Sequence, residues 1–169
     1  FAQQVSLTDF CMISKPRLPS IVIRPVALDD AAALNAACWA DRPRDVVIDL
    51  LRRAERAAAR RRGLAVTALW RDEPCAFGML SLRSRYAEIS DLIVTEPLRG
   101  RRIGTALIEY LSAAAHDLGA TMLEIGGALS NPRAIELYRR LGFCDGRVIT
   151  LALGHGPEPV LYLYRAIGP

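Results

Sequence analysis

The pattern of apolar and polar positions predicts eleven secondary-structure elements. Short apolar runs bounded by turn residues are typical of strands, and seven occur, at residues 21–26, 64–70, 75–82, 86–94, 121–125, 147–153 and 159–164. Apolar residues at helical spacing predict helices at about residues 29–39, 45–62, 104–118 and 132–141. Asp29 or Asp30 can cap the first helix. The second helix is expected to bury one stripe, formed by Val47, Leu50, Leu51 and Ala54.

The order of these elements, β-α-α-β-β-β-α-β-α-β-β, predicts one α/β domain of the mixed (α+β) type. Consecutive strands favour antiparallel pairing, and the helix between the fourth and fifth strands favours one parallel crossover. A chain of 169 residues, 51% of them hydrophobic, can bury one sizeable core. We therefore expect residues 20–169 to form a single domain and residues 1–19 to be a tail or an added arm. Because the first residue is Phe1 and not methionine, we also expect processing or trimming ahead of it.

Hydrophobicity and charge limit the classes of function that this chain can have. No apolar run reaches the roughly 18 residues that a membrane span needs. The net charge of +4 comes almost wholly from arginine. Its densest cluster lies on the second predicted helix, at Arg52, Arg53, Arg56, Arg60, Arg61 and Arg62. We expect a solvated helix face there, with binding to nucleic acid or to an anionic lipid surface as the alternative.

The cysteines and histidines do not show the spacing of a metal site. Four scattered cysteines without a C-x-x-C and two isolated histidines are present, namely Cys11, Cys38, Cys75, Cys144, His116 and His155. Free thiols in a reducing cytoplasm are the simplest interpretation.

The stretch from residue 90 to residue 107 predicts a phosphate-binding turn. Its apolar first part is typical of a buried strand that Pro97 ends. A loop with three arginines and two glycines follows, and a helix begins near Gly104. This order brings free backbone N–H groups and the positive end of a helix dipole to one point. The loop spells neither G-x-x-x-x-G-K-[ST] nor G-x-G-x-x-G.

Residues 131–143 predict one complete short helix. Asn131 suits the N-cap and Pro132 suits the first helical position. Gly142 suits the left-handed residue past the end, and Phe143 suits the apolar contact that often accompanies it.

Together the two stretches resemble the GNAT superfamily of N-acetyltransferases. Residues 99–104 are similar to its [QR]-x-x-G-x-[GA] loop, with Arg102 in place of the first glycine, and residues 131–143 match N-x-x-A-x-x-x-Y-x-x-x-G-F. The resemblance covers residues 88–143. It implies a central mixed, mostly antiparallel sheet of about six to seven strands, with helices on both faces and a splayed central strand pair. It also implies acetyl-CoA as cosubstrate and no metal.

By this resemblance the coenzyme contacts the end of the fourth strand, the loop and the two following helices. The implied cofactor-binding residues are Leu92, Ile93, Val94, Arg99, Gly100, Arg101, Arg102, Ile103, Gly104, Thr105, Asn131, Ala134 and Tyr138. A β-bulge in the fourth strand would free main-chain groups for the pantetheine arm, and one freed N–H would stabilise the oxyanion. The N–H groups of residues 101–105 would bind the pyrophosphate, which the guanidinium of Arg99, Arg101 or Arg102 could also reach. Arg102 is tolerable in the loop if its φ stays negative.

Tyr138 and Glu88 are the catalytic residues that the resemblance implies. Tyr138 matches the family's tyrosine near the coenzyme sulfur, a general acid, and a core aromatic packed with Leu141 and Phe143 is the alternative. Glu88 falls where the histone-acetylating branch carries its glutamate, a general base. The alternatives for Glu88 are a carboxylate that only marks a solvated strand end, Asp91 as the base, or a water relay.

Strand alternation divides this part of the fourth strand between the two faces of the sheet. It predicts Glu88, Ser90 and Leu92 on one face and Ile89, Asp91 and Ile93 on the other.

We therefore interpret the chain as an N-acetyltransferase that transfers acetyl from acetyl-CoA to a primary amine of a small molecule or a peptide, by direct attack in a ternary complex. The alternatives are a non-catalytic acyl-CoA-binding regulatory module and a basic nucleic-acid-binding module. Acetyl-CoA and the amine are the expected partners, without a membrane, and a homodimer stays open. The acceptor depends on the first two helices, on residues 83–85 and on the final hairpin, which carry no recognisable motif. An arginine-rich acceptor side would suit an amine that carries a carboxylate or another anionic group.

Overall fold

The computed structural model describes residues 21–152 and 156–168. The expected tail at residues 1–19, with Cys11, lies outside the described residues, and so does His155.

In this part of the chain, seven strands form one sheet with the order β1-β2-β3-β4-β5-β7-β6. The strands are β1 (Val22–Pro25), β2 (Gly63–Trp70), β3 (Glu73–Arg83), β4 (Tyr86–Val94), β5 (Met122–Ala128), β6 (Cys144–Ala152) and β7 (Pro157–Ala166). All neighbouring pairs are antiparallel except β4 and β5, which are parallel. The predicted mixed, mostly antiparallel sheet with one parallel crossover is confirmed.

Four helices cover the two faces of the sheet. They are α1 (Ala31–Cys38), α2 (Arg44–Ala59), α3 (Ile103–Asp117) and α4 (Pro132–Arg140), and short 3-10 turns precede α1 and α3 at Leu28–Asp30 and Glu96–Leu98. On one face, α1 lies against β3 and α2 against β2. On the other face, α3 lies against β3 and β4, and α4 lies against β5 and β7. The part of the first face formed by β5 and β7 therefore carries no closely packed helix among the described residues.

Two apolar clusters form the core, one on each face. The larger cluster joins α3 and α4 to the sheet through residues such as Leu107, Leu111 and Leu163. The smaller cluster joins α1 and α2 to the sheet around Phe77, whose ring centroid lies 5.1 Å from that of Trp39 in an edge-to-face contact. The predicted inner stripe of α2 is confirmed, because all four of its residues are buried.

The arginine cluster is exposed, as expected of a solvated face, although Arg60, Arg61 and Arg62 lie in the turn that follows α2 and not on the helix. Each of the six arginines is exposed, and Arg52 lies 3.6 Å from Asp49 on the same helix. None of the helices in the described ranges is long and apolar enough to span a bilayer.

The start of α1 differs from the prediction. Asp30 occupies the N-cap position, but its side chain makes no capping hydrogen bond to α1. Its carboxylate instead accepts hydrogen bonds from Arg24 at 2.7 and 2.8 Å and from the Ala27 N–H at 2.8 Å. These contacts hold the pKa of Asp30 below its ordinary value, mainly through the hydrogen bond from Arg24. The local spacing predicted that Asp30 can cap α1, but its carboxylate pairs with Arg24 of β1 instead.

Several strands extend further than the apolar runs suggested, and β5 and β6 show the reason. β5 continues through Gly126 and Gly127 to Ala128, because β7 supplies a partner for each of these residues. For the same reason β6 already begins at Cys144, opposite Tyr164.

Candidate active site

The two central strands separate partway along the sheet. β4 and β5 pair only from Tyr86 opposite Met122 to Ile89 opposite Ile125. Beyond this point β4 remains paired with β3, and β5 remains paired with β7. The predicted splayed pair is therefore present, and it opens a gap in the middle of the sheet.

A β-bulge lies on β4 where the gap opens. Phe77 pairs with Ile93 and Met79 with Ser90, so two residues of β4, Asp91 and Leu92, oppose one residue of β3. Asp91 has a φ of 51°. The extra residue disrupts the ladder and leaves main-chain groups of β4 unpaired with β3.

The bulge makes the predicted alternation wrong beyond Ser90. Ile89 and Leu92 both pack against the α3 side, whereas Ile93 packs against the α1 and α2 side. One inserted residue shifts the period-two pattern by one position, so every later side chain changes face.

The loop between β4 and α3 turns sharply into the helix. Gly100 has a φ of 76° and Arg102 a φ of 63°. The condition under which Arg102 would be tolerated without strain, a negative φ, is therefore not met. Arg102 is the N-cap of α3 and contributes no side-chain cap, so the first N–H groups of α3 have no capping acceptor from it. With the helix dipole they form an anion-binding point.

The three loop arginines point in different directions. The Nε of Arg99 donates to the carbonyl oxygen of Val94 at 3.1 Å. The guanidinium of Arg101 lies over the ring of Trp70, 5.4 Å from its centroid. The structure therefore turns the Arg101 side chain away from the cleft that Arg99 and Arg102 line.

The helix α4 carries its predicted caps. The side chain of Asn131 accepts a hydrogen bond from the Ala134 N–H at 3.3 Å. Gly142 has a φ of 85°, and the ring of Phe143 lies 6.3 Å from that of Tyr138. Tyr138 is buried, and this burial raises the pKa of its hydroxyl to about 12. At neutral pH the hydroxyl therefore keeps its proton.

A cleft of about 690 Å³ runs between the end of β4, the loop and α4. Twelve of the thirteen predicted cofactor-binding residues line it, and Arg101 is the one that does not. Sequence reasoning missed two further arginines in the lining, Arg133 and Arg140. Together with Arg99 and Arg102 they outnumber Glu136, the one acidic residue that lines this cleft within the described ranges. The cleft is thus suited to a polyanionic ligand.

A smaller cleft of about 320 Å³ lies beside the end of α1, and Ile93, Val94 and Arg99 line both clefts. Cys38 lines the smaller one, and burial raises the pKa of its thiol to about 11. The end of β4 therefore separates two clefts.

Glu88 lies beside a second carboxylate that sequence reasoning missed. Glu88 pairs with Glu124 on β5, and Glu124 is 3% exposed. Burial, followed by the repulsion of Glu124, raises the pKa of Glu88 above its ordinary value. The signal for Glu124 was available, since it is a single carboxylate inside the apolar run of residues 121–125.

A loop substitution tests the backbone geometry of Arg102. A left-handed backbone conformation destabilises an L-residue by roughly 1–2 kcal/mol, and glycine adopts it without this penalty. We expect Arg102→Gly to raise the free energy of unfolding by about 1 kcal/mol in urea titrations. Arg101→Gly is the matched control, because it removes the same charge one position earlier, where φ is not positive. Arg101→Gly should destabilise the protein, because glycine loses more conformational freedom on folding and the contact with Trp70 is lost. Equal effects of the two substitutions on the free energy of unfolding would contradict a strained backbone at Arg102.

The comparisons with known proteins agree with this geometry. The sequence model of the Acetyltransferase (GNAT) family matches residues 28–143, more than half of the chain. The matched range includes the loop, the bulge and α4. The protein belongs to the GNAT family of acetyltransferases.

Two relatives match shorter segments. An uncharacterized N-acetyltransferase from Methanocaldococcus jannaschii is 41% identical over 63 residues, which make up 37% of this chain and 28% of that protein. The aminoalkylphosphonate N-acetyltransferase of Salmonella typhimurium is 30% identical over 74 residues, or 39% of this chain and 48% of that protein. The chain thus spans less than half the length of either relative that it matches.

Solved acetyltransferases share the fold. A putative acetyltransferase from Salmonella typhimurium, solved with its cofactor acetyl-CoA, superimposes with a TM-score of 0.70 at 19% identity. The match covers 87% of this chain and 94% of that one. This likeness confirms the architecture.

Proposed function

We propose that this protein transfers the acetyl group of acetyl-CoA to a primary amine of a small molecule or a peptide, by direct attack in a ternary complex. The observation that carries the proposal is the cleft of about 690 Å³, with the bulged strand on one wall, the first turn of α3 at its end and Tyr138 inside it. The proposed unit is residues 20–169, acting in a reducing cytoplasm. Formation of a homodimer would not change this proposal, because every residue that it names lies on one chain.

We assign two parts of the coenzyme, its pyrophosphate and its pantetheine arm, to groups of the cleft. We assign the pyrophosphate to the N–H groups of residues 101–105, with Arg99 and Arg102 as charged partners. We assign the pantetheine arm to the main chain of Leu92, Ile93 and Val94 beside the gap between β4 and β5. An arm in this position would pair with β4 as an additional strand does.

The acyl transfer needs an electrophile, an acid and a base. The amine nitrogen attacks the thioester carbon and forms the C–N bond, while the carbonyl oxygen becomes an oxyanion. We assign the stabilisation of this charge to an N–H of the bulge, a kind of contact worth about 3–4 kcal/mol in well-studied enzymes. Collapse then breaks the C–S bond and releases a thiolate. The attached nitrogen, which carries a positive charge after the attack, loses its second proton to water, and a neutral amide remains.

We assign the proton of the departing thiolate to Tyr138. Its hydroxyl is protonated at neutral pH, because its pKa is raised to about 12, and it lines the cleft. It would first donate a hydrogen bond to the sulfur and then supply the proton as the C–S bond breaks.

We assign the base role to Glu88, with Glu124 as the charge that tunes it. An amine is mostly protonated at pH 7, so a proton must leave before attack. A carboxylate whose pKa is raised takes that proton more readily. Because Glu88 lies about four strand residues before Leu92, roughly 13 Å along β4, we include a water relay. Asp91 is exposed and sits on the bulge, which favours Glu88 over it.

Calorimetry with acetyl-CoA tests this proposal directly. We expect saturable binding at submillimolar concentration, and acetyl-pantetheine, which lacks the diphosphate, should bind at least about tenfold more weakly because it misses the α3 N-terminus. Absence of heat at millimolar acetyl-CoA would end the proposal.

A screen of amines and peptides for CoA release then separates the remaining functions. Release with an amine supports the enzyme. Binding without release would instead favour the non-catalytic acyl-CoA module. A nucleic-acid module would bind in a steeply salt-dependent way that requires the α2 arginines.

A further inference from the structure

A charged and aromatic patch lies on the open face of the sheet, next to the proposed base. Cross-strand pairing aligns Glu88 with Glu124, and Glu124 with Tyr164. We call the group an acceptor patch and define it by Arg83, Tyr86, Glu88, Glu124, Arg147, Tyr162 and Tyr164. It combines two carboxylates with two guanidinium groups, and α1 and α2 leave this part of the face uncovered.

Arg147 extends from β6 across this patch. Its Nη2 lies 3.0 Å from Oε1 of Glu124, and its Nη1 donates a hydrogen bond to the Tyr164 hydroxyl. Its Cζ lies 5.2 Å from the ring centroid of Tyr162 and 5.6 Å from that of Tyr164. The two rings and the buried carboxylate hold the guanidinium from one side.

The other side of Arg147 is open. Its side chain is 55% exposed, and a guanidinium has five N–H donors, more than the contacts with Glu124, Tyr164 and Tyr86 use. The Oε1 atom of Glu124 accepts no hydrogen bond from the described residues, so the contact with Arg147 is a charge contact without hydrogen-bond alignment. The N–H edge of Arg147 thus remains available to a carboxylate or another planar acid.

Glu88 and Arg147 face the same space above the sheet. Glu88 and Glu124 lie on adjacent strands, about 4.8 Å apart, and Arg147 sits on Glu124. The guanidinium of Arg147 lies close enough to Glu88 that its charge opposes the rise in the pKa of Glu88. An acceptor whose amine approaches the base can therefore place an acidic group on Arg147.

We infer that Arg147 binds an acidic group of the acceptor while the amine gives its proton to Glu88 through the water relay, so that the substrate is a small primary amine that carries a carboxylate or a similar acid. This inference rests on the proposed function. The charges of the patch support it, because Arg83 and Arg147 balance Glu88 and Glu124. A zwitterion adds no net charge to this arrangement, whereas a polycation does. Arg147 is a specificity-determining residue in this arrangement.

The test compares an amino acid with its own amide, which removes the negative charge and keeps the amine. The pairs are glycine with glycinamide and β-alanine with β-alaninamide, and CoA release is measured at saturating acetyl-CoA. In the pair that reacts faster, we expect kcat/KM of the amino acid to be at least about tenfold higher than kcat/KM of its amide, as for a charge-assisted contact. Arg147→Gln should bring this ratio close to one by raising the KM of the acid, without changing the KM of the amide.

Two further variants make the result specific. Arg147→Lys keeps the positive charge beside Glu124, so it should fold and retain part of the preference, because an ammonium lacks the planar fork. Arg60→Gln is the matched control at the exposed C-terminal end of α2 and should leave the ratio unchanged. Circular dichroism and acetyl-CoA affinity check that each variant is folded.

Each outcome has one meaning. Equal kcat/KM for acid and amide, preference for the amide, or an unchanged ratio in folded Arg147→Gln and Arg147→Lys would overturn the inference and leave the proposed function standing. Failure of every amine to release CoA would overturn both. A ratio close to one in Arg147→Gln and a reduced ratio in Arg147→Lys, with the ratio of Arg60→Gln unchanged, support the inference.

Discussion

Replacing Tyr138 with phenylalanine should lower kcat by about 100- to 10,000-fold, the range of a positioned general acid. The affinity for acetyl-CoA should stay within about twofold, because the ring and its packing remain and only the hydroxyl is lost. The buried hydroxyl is a donor to the leaving sulfur in our proposal, and phenylalanine has no proton to give. The measurements are kcat with any amine that releases CoA and the Kd of acetyl-CoA by calorimetry.

Tyr110→Phe is the matched control for this substitution. Tyr110 lies on α3, is 37% exposed and does not line the cleft, so losing its hydroxyl should leave both kcat and Kd as they are. If Tyr138→Phe behaved like this control, Tyr138 would be a core aromatic packed with Phe143 and not an acid.

Glu88→Gln should lower kcat/KM by about 100-fold or more at neutral pH, because no carboxylate then takes the proton of the amine. In the wild type the pKa of Glu88 is raised, and the base works only when it is deprotonated. The rate should therefore fall as the pH drops through this raised pKa. In Glu88→Gln this acidic limb of the pH profile should disappear.

Glu124→Gln is the companion variant. It removes the negative charge that, after burial, contributes most to raising the pKa of Glu88. The acidic limb should therefore move to lower pH, and the loss in kcat/KM should be smaller than for Glu88→Gln. The reverse order, with a near-inactive Glu124→Gln and an active Glu88→Gln, would make Glu124 the base and Glu88 the tuning charge.

The raised pKa also has a consequence for stability. A carboxyl group whose pKa is higher in the folded than in the unfolded state costs stability once it ionises. This cost is absent below the unfolded pKa and grows as the pH rises through the raised value. Glu88→Gln should thus gain stability over the wild type at pH 7 and lose this advantage near pH 4, as urea titrations at the two pH values can show.

The periodicity and spacing of apolar residues sufficed to predict the order of the helices and strands. A turn residue such as Gly142 marks the end of its helix through its local backbone preference, and the stripe of α2 follows from helical geometry alone. The loop of residues 99–104 and the helix from Asn131 to Gly142 were readable for the same reason, since capping and anion binding at a helix N-terminus depend on neighbours in the chain.

What the sequence determined by itself is therefore the set of elements, their order and the local motifs that make up the cofactor cleft. Only the tertiary structure decided that the bulge at Asp91 reverses the faces of Leu92 and Ile93, that Arg102 is left-handed, that Arg101 stacks on Trp70 and that Glu124 lies beside Glu88. These features depend on which strand pairs with which and in what register. Pairing of this kind is fixed by contacts between residues far apart in the chain, and no local spacing encodes it.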